Sequence, residues 1–476
     1  MNYSKRTKII ASISDIAYDE ERIVGLYNAG VNVLRFNFSH AWQSEVAKIV
    51  TLVRELNASG KTNLSMLLDT KGPEIRTGSV EEKIHVKIGD HLKIFVDQGL
   101  LTQTTDLFCD YPHLLEDLVL GQTLILDSGL LTAKVVEITS TYAVLEMLNN
   151  HSIGSRRHIN LPGVRLKLPG LTEKDMSDVQ FAIDQKIDFI AASFIRSKAN
   201  VDEIKDILKK NNAEHIQIIS KIENQEALEN LDEIVQASDG VMVARGDLGV
   251  EVPISKLPFY QKEIMDACFT YGKTIVIATE LLKSMVESPF PTRAEVSDVY
   301  NCVMMRTDVT MLSDETAAGK FPIQSAQMMS DVLAEAESHT NNKHKDFDIT
   351  FVDNYPYDDK MVAKSALYFA DEIKADFLLI FSKSGTLARI VSAFKPNQPV
   401  FAFTKDEHVL RTMNILFAIH PFLESSWAEE NPVKNENDAI AILRGKGLIT
   451  KGQKIVIINH IIQEGCRSPY LKLVTL

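Results

Sequence analysis

The sequence has 476 residues, of which 45% are apolar and 24% charged, the balance of an ordinary globular protein with enough apolar material for a large core. Aspartate and glutamate (64) outnumber lysine and arginine (51), so the formal net charge is −13. This charge argues against nonspecific nucleic-acid binding, which needs a basic surface, and it means that an anionic ligand must be held by local cations or metal ions.

The cysteines and the N-terminus indicate where the protein resides. The four cysteines are far apart and form no CxxC pair, which is typical of reduced thiols in a cytosolic protein. The N-terminus lacks the long apolar segment of a signal peptide, and no stretch reaches membrane-spanning length. We therefore expect a cytoplasmic protein without a membrane partner.

Short apolar segments alternate with longer amphipathic ones over most of the chain. The predicted strands of this series are 7–13, 31–39, 64–71, 189–195, 217–223, 239–248, 274–280 and 309–316, and predicted helices between them include 43–57, 175–185, 198–210 and 256–271. Apolar strands that alternate with helices indicate a parallel sheet covered on both faces. Eight such strands favour a closed (β/α)8 TIM barrel of the α/β class, to which we assign residues 1–71 and 169–344.

Residues 72–168 interrupt this series. They contain short segments of alternating apolar and polar residues with Gly and Asp at the turns, and they predict antiparallel strands of a small β domain. Pro and Gly residues at both borders, 72–73 and 168–170, are suitable hinges. The inserted domain could therefore act as a lid on the barrel.

From residue 345 to 476 the alternation restarts after a polar stretch. The predicted helices are 358–374, 386–394, 406–416 and 435–445, and the predicted strands are 377–382, 399–404, 418–424, 454–461 and 470–476. This pattern indicates a separate α/β domain at the C-terminus.

Polar residues interrupt the barrel strands mainly at their C-terminal ends, where barrel enzymes keep their catalytic groups. In the second strand, Arg35, Asn37 and Ser39 alternate and so share one face. A solvated strand edge is the simple alternative. It is the weaker interpretation, because three polar side chains on the inward face of a central strand need partners or a ligand.

The third strand ends in Asp69 and Thr70. Together with Asn37 and Ser39, these residues would form a cluster of oxygen ligands suited to an alkali or alkaline-earth cation rather than zinc. By spacing alone, a hairpin turn explains Asp69 and Thr70 equally well.

The fifth and sixth strands supply further charged groups. Lys221 and Glu223 share a face, and burying both requires an ion pair or a metal. Gly246 permits close approach of the backbone, and Asp247 could complete a divalent metal site with Glu223. Such a site would stabilise negative charge on phosphoryl or enolate oxygens, although each position alone could be a structural ion pair.

The last two strands end in Thr279 and in the segment that contains Ser313 and Glu315. A lone hydroxyl at a strand end is usually a helix N-cap, so Thr279 gains interest only from its neighbours. No GxxxxGK[ST] loop and no GxGxxG motif follows a strand. Nucleotide phosphates would therefore be held by cations and metal.

Seven strings, in this order and spacing, closely resemble the pyruvate kinase family from about residue 5 to 330. They are RFNFSH, LDTKGPEIRTG, NLPG, SKIEN, VARGDLGVE, PTRAEVSDV and MLSDETA. The resemblance implies transfer of the phosphoryl group of phosphoenolpyruvate to ADP, which gives pyruvate and ATP. It also implies Mg2+ (or Mn2+) and K+ as cofactors, and a homotetramer.

The resemblance assigns roles residue by residue. For the substrate and the reaction it implies Arg35, Lys221, Gly246, Asp247 and Thr279, with Ser313 and Glu315 as members of a proton relay. For the metals it implies Glu223 and Asp247 as Mg2+ ligands and Asn37, Ser39, Asp69 and Thr70 as K+ ligands, with Glu74 the residue that accompanies K+ dependence. For the nucleotide it implies Asn37, His40, Arg76 and Arg157.

The sequence also departs from the family pattern. Arg157 stands where the family usually has Lys, Ser14–Asp15 replaces a Gly-Pro turn, Glu280 replaces Gln, and Asp314 replaces Gly. These differences put in question the nucleotide-base contacts and the subunit surfaces that the resemblance implies. They leave every implied metal ligand and Lys221 unchanged.

In the C-terminal domain, one loop resembles the sugar-phosphate effector loop of the family. It consists of Ser382, Lys383, Ser384, Gly385 and Thr386, between a predicted strand and a predicted helix, where backbone N–H groups could hold a phosphate. An ordinary N-cap with a tight turn is an equal alternative. The Gly-rich final loop of the family is replaced by residues 464–469. The identity of the effector, or its existence, therefore stays open.

Two other functions compete with the kinase. A barrel lyase or aldolase that handles a pyruvate enolate with Mg2+ would share the acidic metal ligands, but it would need neither the K+ cluster nor Arg76. A regulatory protein that keeps the fold without catalysis is favoured by the divergent turns. The retained Lys221, Glu223 and Asp247 argue against it.

Overall fold

The computed structural model describes residues 5–15, 17–344, 355–424, 426–427, 431–463 and 466–476. The predicted domain junction at residue 345, and Glu464 and Gly465 of the final loop, lie outside these ranges. Within them, no helix is long and apolar enough to cross a membrane.

The N-terminal part alternates strands and helices as predicted. Its elements are β1 (Lys8–Ser12), α1 (Glu20–Asn28), β2 (Val33–Asn37), α2 (Gln43–Ala58) and β3 (Ser65–Asp69). Helix α2 buries Val46, Ile49, Val50, Val53 and Leu56, an apolar stripe of helical period that packs against the sheet.

After β3 the chain forms a small β-rich unit. Its elements are β4 (Ile75–Arg76), β5 (Ile84–Val86), β6 (His91–Phe95), β7 (Leu107–Phe108), α3 (Leu114–Asp117), β8 (Thr123–Leu126), β9 (Leu131–Ile138), β10 (Tyr142–Met147), β11 (His151–Ile153) and β12 (His158–Asn160). One sheet has the order β4-β12-β8-β9-β10-β6-β7, and β11 pairs with β5. The expectation of antiparallel strands is wrong for β6 and β7, which run parallel.

The chain then completes the barrel. The elements are α4 (Glu173–Asp184), β13 (Phe189–Ala192), α5 (Lys198–Lys210), β14 (Gln217–Ile222), α6 (Gln225–Glu229), α7 (Leu231–Ala237), β15 (Gly240–Ala244), α8 (Arg245–Glu251), α9 (Leu257–Thr270), β16 (Thr274–Ala278), α10 (Arg293–Met304), β17 (Val309–Leu312), α11 (Asp314–Ala317) and α12 (Pro322–Ser338). In the described chain, eight parallel strands close in the order β1-β17-β16-β15-β14-β13-β3-β2.

Each predicted barrel strand is longer than the observed one, and two of them extend into a helix. The strand expected over 239–248 ends at Ala244, and α8 begins at Arg245. The strand expected over 309–316 ends at Leu312, and α11 follows. In both cases the chain turns into a short helix just after the carboxyl end of the strand. Asp247, Ser313 and Glu315 therefore lie at the start of a helix instead of along a strand.

The C-terminal elements form a second α/β unit. They are α13 (Tyr357–Ile373), β18 (Phe377–Phe381), α14 (Thr386–Ala393), β19 (Val400–Thr404), α15 (Glu407–Met413), β20 (Ile419–Leu423), α16 (Pro432–Gly445), β21 (Lys454–Gln463) and β22 (Cys466–Thr475). The sheet order is β20-β19-β18-β21-β22, with β22 antiparallel to β21.

This unit packs against the amino-terminal end of the barrel. Arg411 of α15 lies 2.8 Å from Asp188, which precedes β13, and Lys395 pairs with Asp308, which precedes β17. The carboxyl ends of the barrel strands are therefore at the opposite end of the barrel, on the side of the inserted β domain.

Candidate functional site

The side chains of each barrel strand alternate between the interior and the surrounding helices. In β2, the interior residue Val33 is followed by Arg35 and Asn37, and in β14 Ile219 is followed by Lys221. The interior is therefore apolar in its lower part and polar at the carboxyl ends of the strands.

Asp69, at the end of β3, joins two cations from different strands. Its Oδ2 lies 2.6 Å from Nε of Arg35, and its Oδ1 lies 3.1 Å from Nζ of Lys221. Arg35 also donates to Oγ of Ser12 at 2.7 Å. Burial alone would raise the pKa of Asp69, but the two cations outweigh it and hold the pKa below its usual value. Asp69 is thus a carboxylate at neutral pH.

Lys221 is surrounded by oxygen atoms. Its Nζ lies 2.8 Å from Oγ of Ser193, which follows β13, and 2.9 Å from Oε1 of Glu223. Burial works against its charge, but Asp69, Glu223 and Asp247 overcome this effect and raise the pKa of Lys221. The site therefore contains a buried ammonium group that is protonated at neutral pH.

Glu223 is fully buried and only partly satisfied. Its Oε2 accepts the N–H of Phe194 at 2.6 Å. Its Oε1 is close to Nζ of Lys221, but no described residue donates a well-directed hydrogen bond to it. Burial raises the pKa of Glu223 to about 7, an effect that Lys221 opposes and Asp247 reinforces. A buried carboxylate oxygen with a free lone pair is suited to a cation.

The end of β16 faces the start of α8. Oγ1 of Thr279 accepts the N–H of Gly246 at 2.8 Å and donates to the carbonyl of Ala278 at 2.7 Å. Thr279 and Glu280 have φ values of 68° and 56°, a left-handed conformation that costs a non-glycine residue about 1–3 kcal/mol. Backbone strain of this kind is concentrated at functional sites.

Ser313 and Glu315 lie at the end of β17. The buried carboxylate of Glu315 accepts the N–H of Ser313 at 2.8 Å and that of Leu282 at 3.2 Å, so it ties the ends of β16 and β17 together. The nearby Asp314 is exposed and pairs with Lys283 at 2.6 Å. Glu315 therefore stabilises the backbone at this end of the barrel, in addition to any role in proton transfer.

These strand ends surround an open cleft of about 1230 Å³. The predicted site residues that line it are Arg35, Asn37, Gly246, Asp247, Thr279, Ser313 and Glu315. Ser128, Gly129 and Leu130 of the inserted β domain form part of its wall. Asp69, Lys221 and Glu223 adjoin the cleft, because Asp69 contacts Arg35, Lys221 contacts Asp69, and Glu223 lies near Asp247.

The predicted nucleotide residues are placed less centrally. Arg76 forms a two-point ion pair with Glu74, with contacts of 2.7 and 2.9 Å. Arg157 is 3.4 Å from Asp127, next to the loop that lines the cleft, and His40 is exposed on the loop after β2. None of Arg76, Arg157 and His40 is among the described residues that line the cleft.

The residues predicted to bind K+ lie at and just after the ends of the neighbouring strands β2 and β3, where Asn37 is opposite Asp69, and some of their oxygens are already engaged. Oδ1 of Asn37 accepts the N–H of Ser39 at 3.1 Å, and the carbonyl of Thr70 accepts the hydroxyl of Ser193 at 2.7 Å. In the part of the chain that is described, no group of three or more His, Cys, Asp or Glu side chains could hold a metal. Mg2+ needs only one or two carboxylates when substrate oxygens complete its shell.

Three site residues were not singled out from the sequence. Ser12 and Ser193 contact Arg35 and Lys221, and Arg245 of α8 donates to the carbonyl of Thr279 at 2.7 Å. Ser193 could have been found by the alternation used for β2, because it lies two residues after the interior residue Ala191. Ser12 carries the same signal, because it lies two residues after the interior residue Ile10, whereas Arg245 carries none.

The predicted effector loop lies in the C-terminal unit, between β18 and α14. Gly385 has φ 79°, and the hydroxyls of Ser384 and Thr386 are 2.9 Å apart. Ser382 is buried at the end of β18. Because this unit packs below the barrel, the loop is remote from the cleft.

The comparisons with known proteins agree on one family. The family model described as "Pyruvate kinase, barrel domain" matches residues 4–326, and the model described as "Pyruvate kinase, alpha/beta domain" matches residues 360–466. A pyruvate kinase of Bacillus licheniformis is 35% identical over 98% of this chain and 80% of the relative. A pyruvate kinase of Clostridium acetobutylicum is 34% identical over 95% of each chain.

The fold gives the same result. A crystal structure of a pyruvate kinase from Cryptosporidium parvum has a TM-score of 0.91 and 34% sequence identity, and the alignment covers 99% of this chain and 96% of that chain. The similarity therefore includes the barrel, the inserted β domain and the C-terminal unit.

Proposed function

The chain belongs to the pyruvate kinase family, and we propose that the side chains at the top of its barrel carry out the reaction of that family. Enzymes of this family transfer the phosphoryl group of phosphoenolpyruvate to ADP in glycolysis, and this chain is accordingly a phosphotransferase. The observation that carries the assignment of the site is the buried contact chain from Arg35 through Asp69 and Lys221 to Glu223.

The substrate phosphate would be bound by Arg35 and Lys221. Both are cations that come from different strands and share one carboxylate, Asp69, which fixes their positions before the substrate arrives. Preorganised charges of this kind stabilise the charge that develops during transfer, because they need no rearrangement at that moment. Phosphoryl transfer requires mainly positioning and charge neutralisation, and these residues supply both.

The donor atoms of the site fit a divalent cation. Glu223 and Asp247 would hold Mg2+ or Mn2+, because Oε1 of Glu223 is buried and accepts no directed hydrogen bond from a described residue. When bound, the ion would neutralise phosphoryl and enolate oxygens. The chain orients Glu223 through the N–H of Phe194, so the carboxylate is held in place for the cation.

A monovalent cation fits the neighbouring oxygen atoms. Asn37, Ser39, Asp69 and Thr70 offer carbonyl, hydroxyl and carboxylate oxygens, the ligands that K+ shares with other hard cations. Glu74 would accompany this K+ dependence. The Glu74 side chain is nearly buried. Burial alone would raise its pKa, but the contact with Arg76 holds the pKa of Glu74 below its usual value.

The nucleotide would lie between the barrel and the inserted domain. Asn37 and His40 would contact it from the loop after β2, and Arg76 and Arg157 would contact its phosphates from the inserted domain. The wall of the cleft at residues 128–130 supports this position, because Arg157 pairs with Asp127 immediately before that segment.

The enolate would be protonated on the side of Thr279. Ser313 and Glu315 belong to the same wall of the cleft and would act as relay members with water. The hydroxyl of Thr279 is already oriented by Gly246, so it would present a fixed polar group to the reacting carbon.

Several assignments beyond the reaction follow from the family. We infer a catalytic barrel of residues 1–71 and 169–344, a lid of 72–168 and a C-terminal domain of 345–476. We also infer a homotetramer in the cytoplasm, with Ser382–Thr386 holding the phosphate of a sugar-phosphate effector. Analytical ultracentrifugation tests the homotetramer. A panel of sugar phosphates in the activity assay tests the effector site.

A coupled assay for pyruvate formation from phosphoenolpyruvate and ADP tests the function. We expect activity that requires Mg2+ and increases with K+. A Mg2+-dependent lyase would act on a pyruvate enolate without ADP, and a regulatory protein would give no turnover in any ion mixture. Either result would exclude the kinase.

A further inference from the structure

The backbone at the end of β16 is strained at two consecutive residues. Thr279 and Glu280 have φ values of 68° and 56°. For a β-branched residue such as threonine this left-handed conformation is an outlier, because the side chain crowds the backbone. Strain of this kind persists only where surrounding contacts hold it. The structure must therefore contain a contact that keeps Thr279 in place.

Arg245, the first residue of α8, makes this contact. Its Nη2 donates to the carbonyl oxygen of Thr279 at 2.7 Å. Its Nη1 lies 2.7 Å from Oδ2 of Asp298 on α10, and only 13% of the Arg245 side chain is exposed. The guanidinium is planar and rigid, so it fixes the Thr279 peptide relative to α10.

The same arrangement orients the hydroxyl of Thr279. That hydroxyl accepts the N–H of Gly246, the residue after Arg245, at 2.8 Å. The side chain and the backbone of Thr279 are thus both bound by neighbouring residues at the start of α8. Thr279 and Arg245 both line the cleft.

We propose that Arg245, anchored by Asp298, is a positioning residue that holds Thr279 in its strained conformation so that the Thr279 hydroxyl faces the reacting carbon. This inference rests on the proposed role of Thr279 in the reaction. The guanidinium of Arg245 is anchored within the protein at both Nη atoms, because Nη1 contacts Asp298 and Nη2 contacts the carbonyl of Thr279.

A partial reaction isolates the step that Thr279 would serve. In this reaction the methyl protons of pyruvate exchange with deuterium from the solvent in the presence of Mg2+, K+ and inorganic phosphate. Proton NMR follows the exchange, which reports proton transfer without phosphoryl transfer to ADP. We expect Arg245→Met to slow this exchange about 100-fold, because a small misplacement of a reacting group has an effect of that size. The KM for ADP should stay within about threefold of the wild-type value.

Asp298→Asn provides a second variant that leaves Arg245 in place. We expect it to slow the exchange in the same direction but less, about tenfold, because the guanidinium keeps its bond to Thr279 and loses its anchor. This variant keeps the test decisive if Arg245→Met fails to fold. Unchanged exchange in a folded Arg245→Met or Asp298→Asn protein would overturn the proposal.

A double-mutant cycle separates positioning from a general structural role. If Arg245 acts through Thr279, then Arg245→Met should slow the exchange by less than about threefold when Thr279 is already alanine. An equal loss in both backgrounds would overturn the proposal. Failure of the proposed function is a different result, because the wild-type protein would then form no pyruvate from phosphoenolpyruvate and ADP.

Discussion

The ammonium of Lys221 lies 2.9 Å from the carboxylate of Glu223, and both side chains are almost completely shielded from solvent. A buried ion pair contributes little net stability, because its contact only offsets the loss of hydration. The pair instead places a fixed positive charge next to the oxygen that we propose as a cation ligand, beside an open cleft.

Replacing Glu223 with glutamine should weaken divalent-cation binding. The substitution keeps the shape of the side chain and removes its charge, so we expect the affinity for Mn2+, used as the probe, to fall more than about tenfold. Water-proton relaxation during a Mn2+ titration measures this. Glu251→Gln is the matched control, because Glu251 is a nearby carboxylate that hydrogen-bonds Asn160 instead of facing Lys221. Equal Mn2+ affinity in both variants would argue against the cation site.

Arg35→Lys tests the substrate phosphate site. Lysine keeps the charge but cannot contact Asp69 and Ser12 through a planar fork, as Arg35 does. We expect the KM for phosphoenolpyruvate to rise about tenfold, with a much smaller change in the KM for ADP. Steady-state kinetics with each substrate varied in turn gives both constants. A rise in the KM for ADP alone would place Arg35 in the nucleotide site.

The barrel and much of its polar end could be predicted from the sequence, because each strand has an apolar lower part and a polar carboxyl end. In a closed barrel these ends must converge, so residues as far apart as Arg35 and Lys221 were expected in one cleft. The structure places them on the same carboxylate, Asp69.

The remaining features depend on tertiary contacts. The helix that begins at Arg245 contains Gly246 and Gly249, which disfavour helices, so the segment looked like the end of a strand. Strands of two or three residues, such as β4 and β7, are too short for alternation to show. The left-handed backbone of Thr279 has no sequence signal at all, because threonine normally avoids it.

The buried cysteines should be unreactive in the native protein. Burial raises the pKa of Cys109 and of Cys302 to about 12, and it raises the pKa of Cys268 as well. A raised thiol pKa means that the reactive thiolate is scarce at pH 8. We expect a Cys466→Ser variant to show no reaction with a thiol reagent over minutes, and full reaction in denaturant. Rapid labelling of the native variant would contradict the buried positions.

Turnover of two lysine variants distinguishes a phosphoryl-transfer site at the polar end of the barrel from a merely structural cluster of charges. Lys221 lies at the top of the barrel, and Lys8, which is also buried, lies at the bottom and donates to the carbonyl of Ile419 at 2.5 Å. In the coupled assay we expect Lys221→Met to lower the rate of pyruvate formation about 1000-fold, because the transferring phosphoryl group loses a fixed positive charge. Lys8→Met should stay within about threefold of the wild-type rate, because Lys8 is remote from the cleft. Wild-type turnover in Lys221→Met would show that Lys221 does not act on the transferring phosphoryl group.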